Sequence, residues 1–164
     1  MTRRSTKLSL SFMAAPLLAL ALAASAGAQP AEPTAAQPKL PTAKLEIIGR
    51  NNVKHDFTVE LALTEQQQQT GEMFRTSVPA DQGMLFDWHT PRDVPMWMKN
   101  TLVPLDIIFI GNDGTITHIE ENAVPQSLAV IPSGGPVRAT LEVQGGLTEK
   151  LDIRVGDKVK GAIF

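Results

Sequence analysis

Val53-Lys54-His55-Asp56-Phe57-Thr58-Val59-Glu60-Leu61-Ala62-Leu63 places Val53, His55, Phe57, Val59, Leu61 and Leu63 in alternation with Lys54, Asp56, Thr58, Glu60 and Ala62. Successive side chains of a β-strand point to opposite faces, so a period of two over this length marks a strand with one face buried. His55 falls on the apolar face near a turn, where a lone histidine is a hydrogen-bonded fringe residue rather than a ligand. Upstream, Leu45, Ile47 and Ile48 predict a first strand that Gly49-Arg50-Asn51-Asn52 ends.

Downstream the period changes. Thr64-Glu65-Gln66-Gln67 is a capping box, with Thr64 as N-cap and Gln67 at the third helical position. It predicts a helix from Glu65 to Met73 or Phe74, with Gln66–Gln69 on its solvated face. Val78–Gly83 is a turn by composition. Gly83-Met84-Leu85-Phe86 predicts a short buried strand, Asp87–Asp93 a loop, and Val94–Met98 a strand start or edge limited by Pro95. Gly111-Asn112-Asp113-Gly114 signals a hairpin between strands at Asp106–Ile110 and Thr115–Ile119. Glu120–Pro136 reads as irregular, with a short strand at Val130-Ile131. Val137–Val143 alternates again, Leu147–Leu151 predicts one helical turn, and Ile153, Val155, Val159 and Ile163 complete the sheet. Together these short strands, Gly/Pro turns and single helix predict a mainly β fold. The expected form is a sandwich or barrel-like sheet of short, mostly antiparallel strands with one short α-helix near Glu65–Phe74.

The chain has 164 residues and no Cys, which excludes disulfides, thiol catalysis, iron–sulfur clusters and an acylated lipoprotein anchor. Residues 1–28 read as a signal peptide. Arg3, Arg4 and Lys7 form the positive region, Leu8 to about Ala24 the apolar one, and Ala26-Gly27-Ala28 the cleavage motif before Gln29. The apolar run is short for a membrane span. Ser5-Thr6-Lys7 after the arginine pair favours the general secretory route over the twin-arginine one. Residues 29–42, rich in Pro, Ala, Gln and Thr, predict a disordered linker, and 43–164 a single domain. The expected location is periplasmic or secreted. Loss of residues 1–28 takes the formal net charge from −2 to −5. With no basic cluster, nucleic acid and anionic membrane surfaces are excluded as expected partners. No stable membrane insertion is expected after cleavage, and a monomer is expected.

The most apolar part of the mature chain, Met96 to Ile110, also holds Lys99, Asn100 and Asp106. Polar groups among large apolar ones are costly to bury without partners. This stretch, with Gly83-Met84-Leu85-Phe86 and Pro104-Leu105-Asp106, resembles the domain-of-unknown-function 192 family. Asp113-Gly114, Pro132-Ser133, Leu141-Glu142-Val143 and Gly156-Asp157 also match. Gly71-Glu72-Met73-Phe74-Arg75 is similar to the family's Gly-Leu-Met-Phe-Arg element, with Glu72 in place of the usual Leu. The resemblance covers roughly Ala43 to Phe164. It implies a compact, mainly β domain of sandwich type, frequently secreted in bacteria, and it implies no activity and no catalytic residue to transfer.

The residues themselves offer two site readings. Lys99 brought close to Asp106 or Glu142 would serve proton transfer in a hydrolase- or isomerase-like enzyme, or hold a ligand. The plainer alternative is a partly buried ion pair, with Asn100 satisfying turn backbone. Trp88, His89, Trp97, Lys99, Asn100 and Asp106 are the expected ligand-binding residues, since an exposed Trp beside polar groups grips sugars and extended peptides. Trp88, in the expected loop, is the better candidate for an exposed contact, while Met84, Met96 and Met98 are expected in the core. His89, Asp93, His118, Glu120 and Glu121 lack metal-ligand spacing, and no metal or cofactor is expected. The balance favours a non-enzymatic binding module for a small molecule, a glycan or an envelope protein. A structural accessory to a partner protein is the remaining reading.

Overall fold

The computed structural model describes residues 31–164; the expected signal peptide lies outside the described residues. The elements are β1 Thr42–Ile48, β2 Lys54–Ala62, α1 Glu65–Thr70, β3 Gln82–Arg92, β4 Pro95–Met96 and β5 Leu105–Ile110. They continue with β6 Ile116–Ala123, β7 Ile131–Pro132, β8 Val137–Gln144, α2 Leu147–Leu151 and β9 Lys158–Gly161. The protein is mainly β. Seven strands form one curled sheet in the order β6-β5-β8-β3-β2-β1-β9, and β4 with β7 forms a two-stranded patch.

Every pairing is antiparallel except β2 with β3. A parallel pair cannot be joined by a tight turn, and the crossover here carries α1. The outer strands meet at one end of the curl: Val159 N–H donates to Gly114 O at 2.8 Å and Ile116 N–H to Asp157 O at 2.9 Å. Gly114 makes this closure sterically feasible. It sits at φ +76°, and a Cβ there would lie 2.5 Å from Val159 O.

Both faces of the central strands are covered. Inside the curl, Leu45, Ile47, Phe57, Val59, Leu85, Ile108, Leu141 and Val143 form one core. On the opposite face, Met84, Phe86, Leu105, Ile107 and Phe109 pack under Val94, Met96 and Met98. A strand buried on both sides reads as a continuous apolar run, which is why every residue of β5 is buried. The chain from Val94 to Thr101 therefore works as a lid on the sheet's second face. It is pinned by Met98 N–H to Ser127 O and by Gln126 N–H to Thr101 O, both 3.1 Å.

Three local expectations change. The capping box forms as read, with Gln67 N–H donating to Thr64 Oγ1 and Thr64 N–H to Gln67 Oε1, but the helix stops at Thr70. Gly71 adopts φ +48° and turns the chain inward, burying Glu72 and Met73. The expected loop Asp87–Asp93 is mostly strand: β3 runs on to Arg92, with its register to β8 broken between Asp87 and Arg92. His89 takes φ 62° in that irregularity. The expected linker is also anchored toward its end. Gln37 Nε2 donates to Gln67 O and Gly71 O, and Leu40 N–H donates to Glu60 Oε2 at 2.7 Å. No helix of the described residues is long and apolar enough to cross a membrane.

Candidate functional site

Lys99, Asn100 and Asp106 do not form one constellation. Asp106 is fully buried and accepts four hydrogen bonds: from Asn122 N–H, Gly146 N–H and Thr148 N–H, each 2.8 Å, and from Thr148 Oγ1 at 2.7 Å. Its carboxylate is consumed in tying β5 to the β8–α2 turn, which corrects the expectation that it faces a ligand or pairs with Lys99. Lys99 instead reaches Glu32 at 2.7 Å and lies 5.2 Å from the Trp97 ring centroid. Asn100 sits at φ 55°, and its carbonyl accepts from Phe74 N–H at 2.9 Å. Its role is to shape the turn.

Of the two tryptophans, Trp97 and not Trp88 is the more exposed. Trp88 is half-buried on the second face, stacked on Phe86 at 5.8 Å, with Nε1–H donating to Thr140 Oγ1 at 3.0 Å. Trp97, between the buried Met96 and Met98, is 44% exposed. His89 is exposed, 3.5 Å from Asp87 and with Nε2 3.2 Å from Leu63 O. His118 stacks on Phe109 at 5.5 Å. No group of three or more His, Cys, Asp or Glu is assembled as a metal site among the described residues.

What the fold does assemble is a cavity of about 350 Å³ between α1 and the Pro95–Thr101 lid, a size within the range of small-ligand sites. Phe86, Trp88, Met96 and Trp97 make its apolar wall. Gln68, Gln69, Thr70 and Arg92 contribute polar groups, and Glu72 and Glu142 reach it from within the structure. Gly71 keeps the floor open: a Cβ there would come 3.0 Å from the Phe86 ring and 3.7 Å from Glu142 Oε2. Alternation along β8 sends Leu141 and Val143 into the inner core and turns Thr140 and Glu142 outward. Of the residues expected at a site, Trp88, Trp97 and Glu142 line this cavity; Lys99, Asn100, Asp106 and His89 do not.

The floor has too many carboxyls for its cations. Arg75 forks onto Glu60, donating to its two oxygens at 2.7 and 2.9 Å. Burial favours the proton on Glu60, but this fork and the Leu40 amide outweigh it and hold that carboxyl below its usual range. Glu72 fares differently. Arg75 Nε lies 3.1 Å from Glu72 Oε2 without the alignment of a hydrogen bond, and that buried oxygen has no hydrogen-bond partner among the described residues. Burial pushes Glu72 up to about 7, against the pull of Arg75. Glu142 is 4% exposed. Burial, then repulsion from Glu72, pushes it well above the usual carboxylate range. A neutral acid can donate a hydrogen bond as well as accept one, so near neutral pH this floor can do either.

Glu72, Arg75 and Arg92 were not among the expected site residues. The visible signal was Glu72 in Gly-Glu-Met-Phe-Arg, a carboxylate standing where the resemblance places Leu. Arg92 rides over the Trp88 ring at 4.9 Å.

Comparison with known proteins gives the chain its relatives. Two solved structures match closely. One is a protein of unknown function from Novosphingobium aromaticivorans DSM 12444, 41% identical, with TM-score 0.72 over 77% of this chain and 91% of that one. The other, from Sinorhizobium meliloti 1021, is described as a candidate transcription regulator. It is 43% identical, with TM-score 0.74 over 76% of this chain and 97% of that one. Among curated proteins there is no significant match. The profile of DUF192, described as Uncharacterized ACR, matches residues 47–161, and the chain therefore belongs to the DUF192 family.

Proposed function

We propose that this chain is an exported, monomeric domain that binds a small polar organic molecule, glycan-like in having one flat face, in the cavity under the Pro95–Thr101 lid. The observation that carries the reading is the cavity itself: an exposed Trp97 at its wall and a floor of buried carboxyls with unmet hydrogen-bonding capacity. An aromatic face with a few convergent polar groups is the usual construction of such sites. Export rests on the n-region, apolar run and cleavage motif of residues 1–28. Secreted protein whose first residue is other than Gln29 would count against that cleavage site.

The test is a thermal-shift screen of the mature domain against sugars, amino acids and nucleotides, repeated with Trp97→Ala. A ligand that binds in the cavity raises the Tm of the wild type and raises that of the variant far less. Ligands that stabilise both equally would place binding elsewhere. Enzymatic use of Lys99 with Asp106 gains no support, because Asp106 is saturated by four donors and Lys99 faces Glu32. The description of the Sinorhizobium protein is not transferred either, since the mature chain is acidic and has no basic cluster.

A second reading has its own observation. Leu102, Val124, Leu128 and Val130 are all exposed. They lie on two stretches that the Gln126 N–H to Thr101 O bond holds together. Exposed apolar residues gathered in this way suit a protein partner in the cell envelope. Size-exclusion chromatography with light scattering of the mature domain distinguishes a self-associating patch from a free monomer.

A further inference from the structure

Two carboxyls, Glu60 and Glu72, contact the guanidinium of Arg75, and a third, Glu142, lies near enough to feel the charges of Glu72 and Arg75. The Arg75 fork is taken by Glu60 through two bonds of 2.7 and 2.9 Å. Glu72 is 3% exposed, lines the cavity and leaves Oε2 without a hydrogen-bond partner. Among the described residues no hydrogen bond or ion pair reaches the Glu142 carboxyl, which also lines the cavity. The remaining charged groups on the wall are Glu65 of α1 and Arg92 of β3, and Arg92 is stacked over Trp88. The floor thus has acceptor capacity for one more positive charge, and it opens on a cavity large enough for an organic group.

We propose that the ligand of this cavity carries a primary ammonium group, seated against Glu72 and Glu142 with its carbon skeleton against Trp97 and Phe86. The inference rests on the cavity being a binding site and adds the chemistry of what enters it. An ammonium brings three N–H donors to carboxyl oxygens that have none. A hydrated divalent ion suits the place less well. Such ions take six or more oxygen ligands, Glu60 is already committed to Arg75, and the opposite wall is aromatic. A neutral hydroxyl would satisfy a lone pair but bring no charge, leaving both carboxyls protonated and buried.

The seat also sets a proton balance. Empty, the pair holds protons because burial disfavours charge on both, and repulsion from Glu72 adds to it at Glu142. When R–NH3+ enters, one Glu–COOH ionises, the carboxylate pairs with the ammonium and the proton leaves to solvent. Binding therefore strengthens as pH rises, by up to tenfold per unit where the displaced proton is fully bound, and flattens once the carboxyl is ionised in the free protein.

The experiment uses the 15N-labelled mature chain and matched probes: benzylamine against benzyl alcohol, and glucosamine against glucose. At pH 7, where both amines are mainly protonated, they are expected to move the amide signals of Gly71, Glu72 and Glu142 and to bind at least tenfold more tightly than their neutral partners. Between pH 7 and 5.5 their affinity should fall by about tenfold or more. Glu72→Gln/Glu142→Gln, isosteric with the protonated acids, should remain folded and lose the preference for amines. Neutral probes that bind as well as amines, or a double variant with unchanged preference, would overturn the cation seat and leave the cavity as a binding site. Four probes that all leave these amides unmoved would overturn both.

Discussion

Glu72→Gln makes the domain more stable at alkaline pH and leaves it nearly unchanged at mildly acidic pH. Glutamine has the shape and the neutrality of the protonated acid, so the variant matches the wild type wherever Glu72 keeps its proton. Unfolded, that carboxyl titrates near 4.5; folded, it titrates near 7. A folded-state value raised above the unfolded one contributes stability that is complete below pH 4.5 and is lost as pH climbs through 7. The interval, at ~1.4 kcal/mol per pH unit, comes to roughly 3 kcal/mol. For a domain of this size that is a Tm difference of about 10 °C. The assay is thermal unfolding by circular dichroism at pH 5, 6, 7 and 8 in buffers of fixed ionic strength. Wild type should lose Tm steadily across the series, while Glu72→Gln should decline less, its remaining decline coming from Glu142, which burial also raises. On the acid side Glu60 and Asp87 act oppositely. Burial favours their protons, but bonds from Arg75 and Arg138 outweigh it, so their stabilisation is lost as pH falls below the carboxylate range. Wild type should therefore be most stable near pH 5. Parallel curves for wild type and Glu72→Gln from pH 5 to 8 would show that Glu72 is not a buried neutral acid, and the account of the floor would fall with them.

Three further substitutions separate frame from site. Asp106→Asn puts an NH2 where one carboxylate oxygen accepts from other donors; it should cost about 2–4 kcal/mol in urea denaturation without altering any ligand's preference among variants that fold. Gly114→Ala forces a Cβ into Val159 O at φ +76°, and should cost about 1–3 kcal/mol and raise hydrogen exchange where the sheet edges meet. Lys99→Ala removes a surface pair with Glu32 and a cation over the exposed Trp97 ring, so chemical denaturation should register no more than about 1 kcal/mol.

The periodic parts of the fold were legible. β1, β2 and β8 follow from alternation, α1 begins at its capping box, and the Gly111–Gly114 turn separates β5 from β6. What escaped depends on contacts distant in sequence. Nothing in Asp87–Arg92 reads as strand, because its polar residues face solvent or Arg138 and β8 pairs with it only at Asp87 and Arg92, on either side of a register shift. The anomaly of Asp106 in an apolar run was visible, but its donors stand 16, 40 and 42 residues away. Glu142 was singled out for the wrong partner. Its alternation within β8 gave the face it shares with Thr140, and only folding brings Gly71 and Glu72 beneath it.

The two buried-carboxylate arrangements of this domain differ in a way that assigns their roles. Asp106 and the Glu60–Arg75 fork are complete: each oxygen has donors, and removing any one part leaves the others costly to keep buried. Glu72 and Glu142 are incomplete, and the fold does not need them to be charged. An apolar side chain at 72, as in the motif this element resembles, would spare the domain a destabilisation of roughly 3 kcal/mol at alkaline pH. Folding alone gives no reason to bury two acids against each other with one oxygen unbonded. A cavity with an aromatic wall beside them does, because a ligand that supplies donors and positive charge recovers what the empty floor lacks. Stability lost in the free state then becomes binding energy in the complex, and it is recoverable only by a molecule of the right charge.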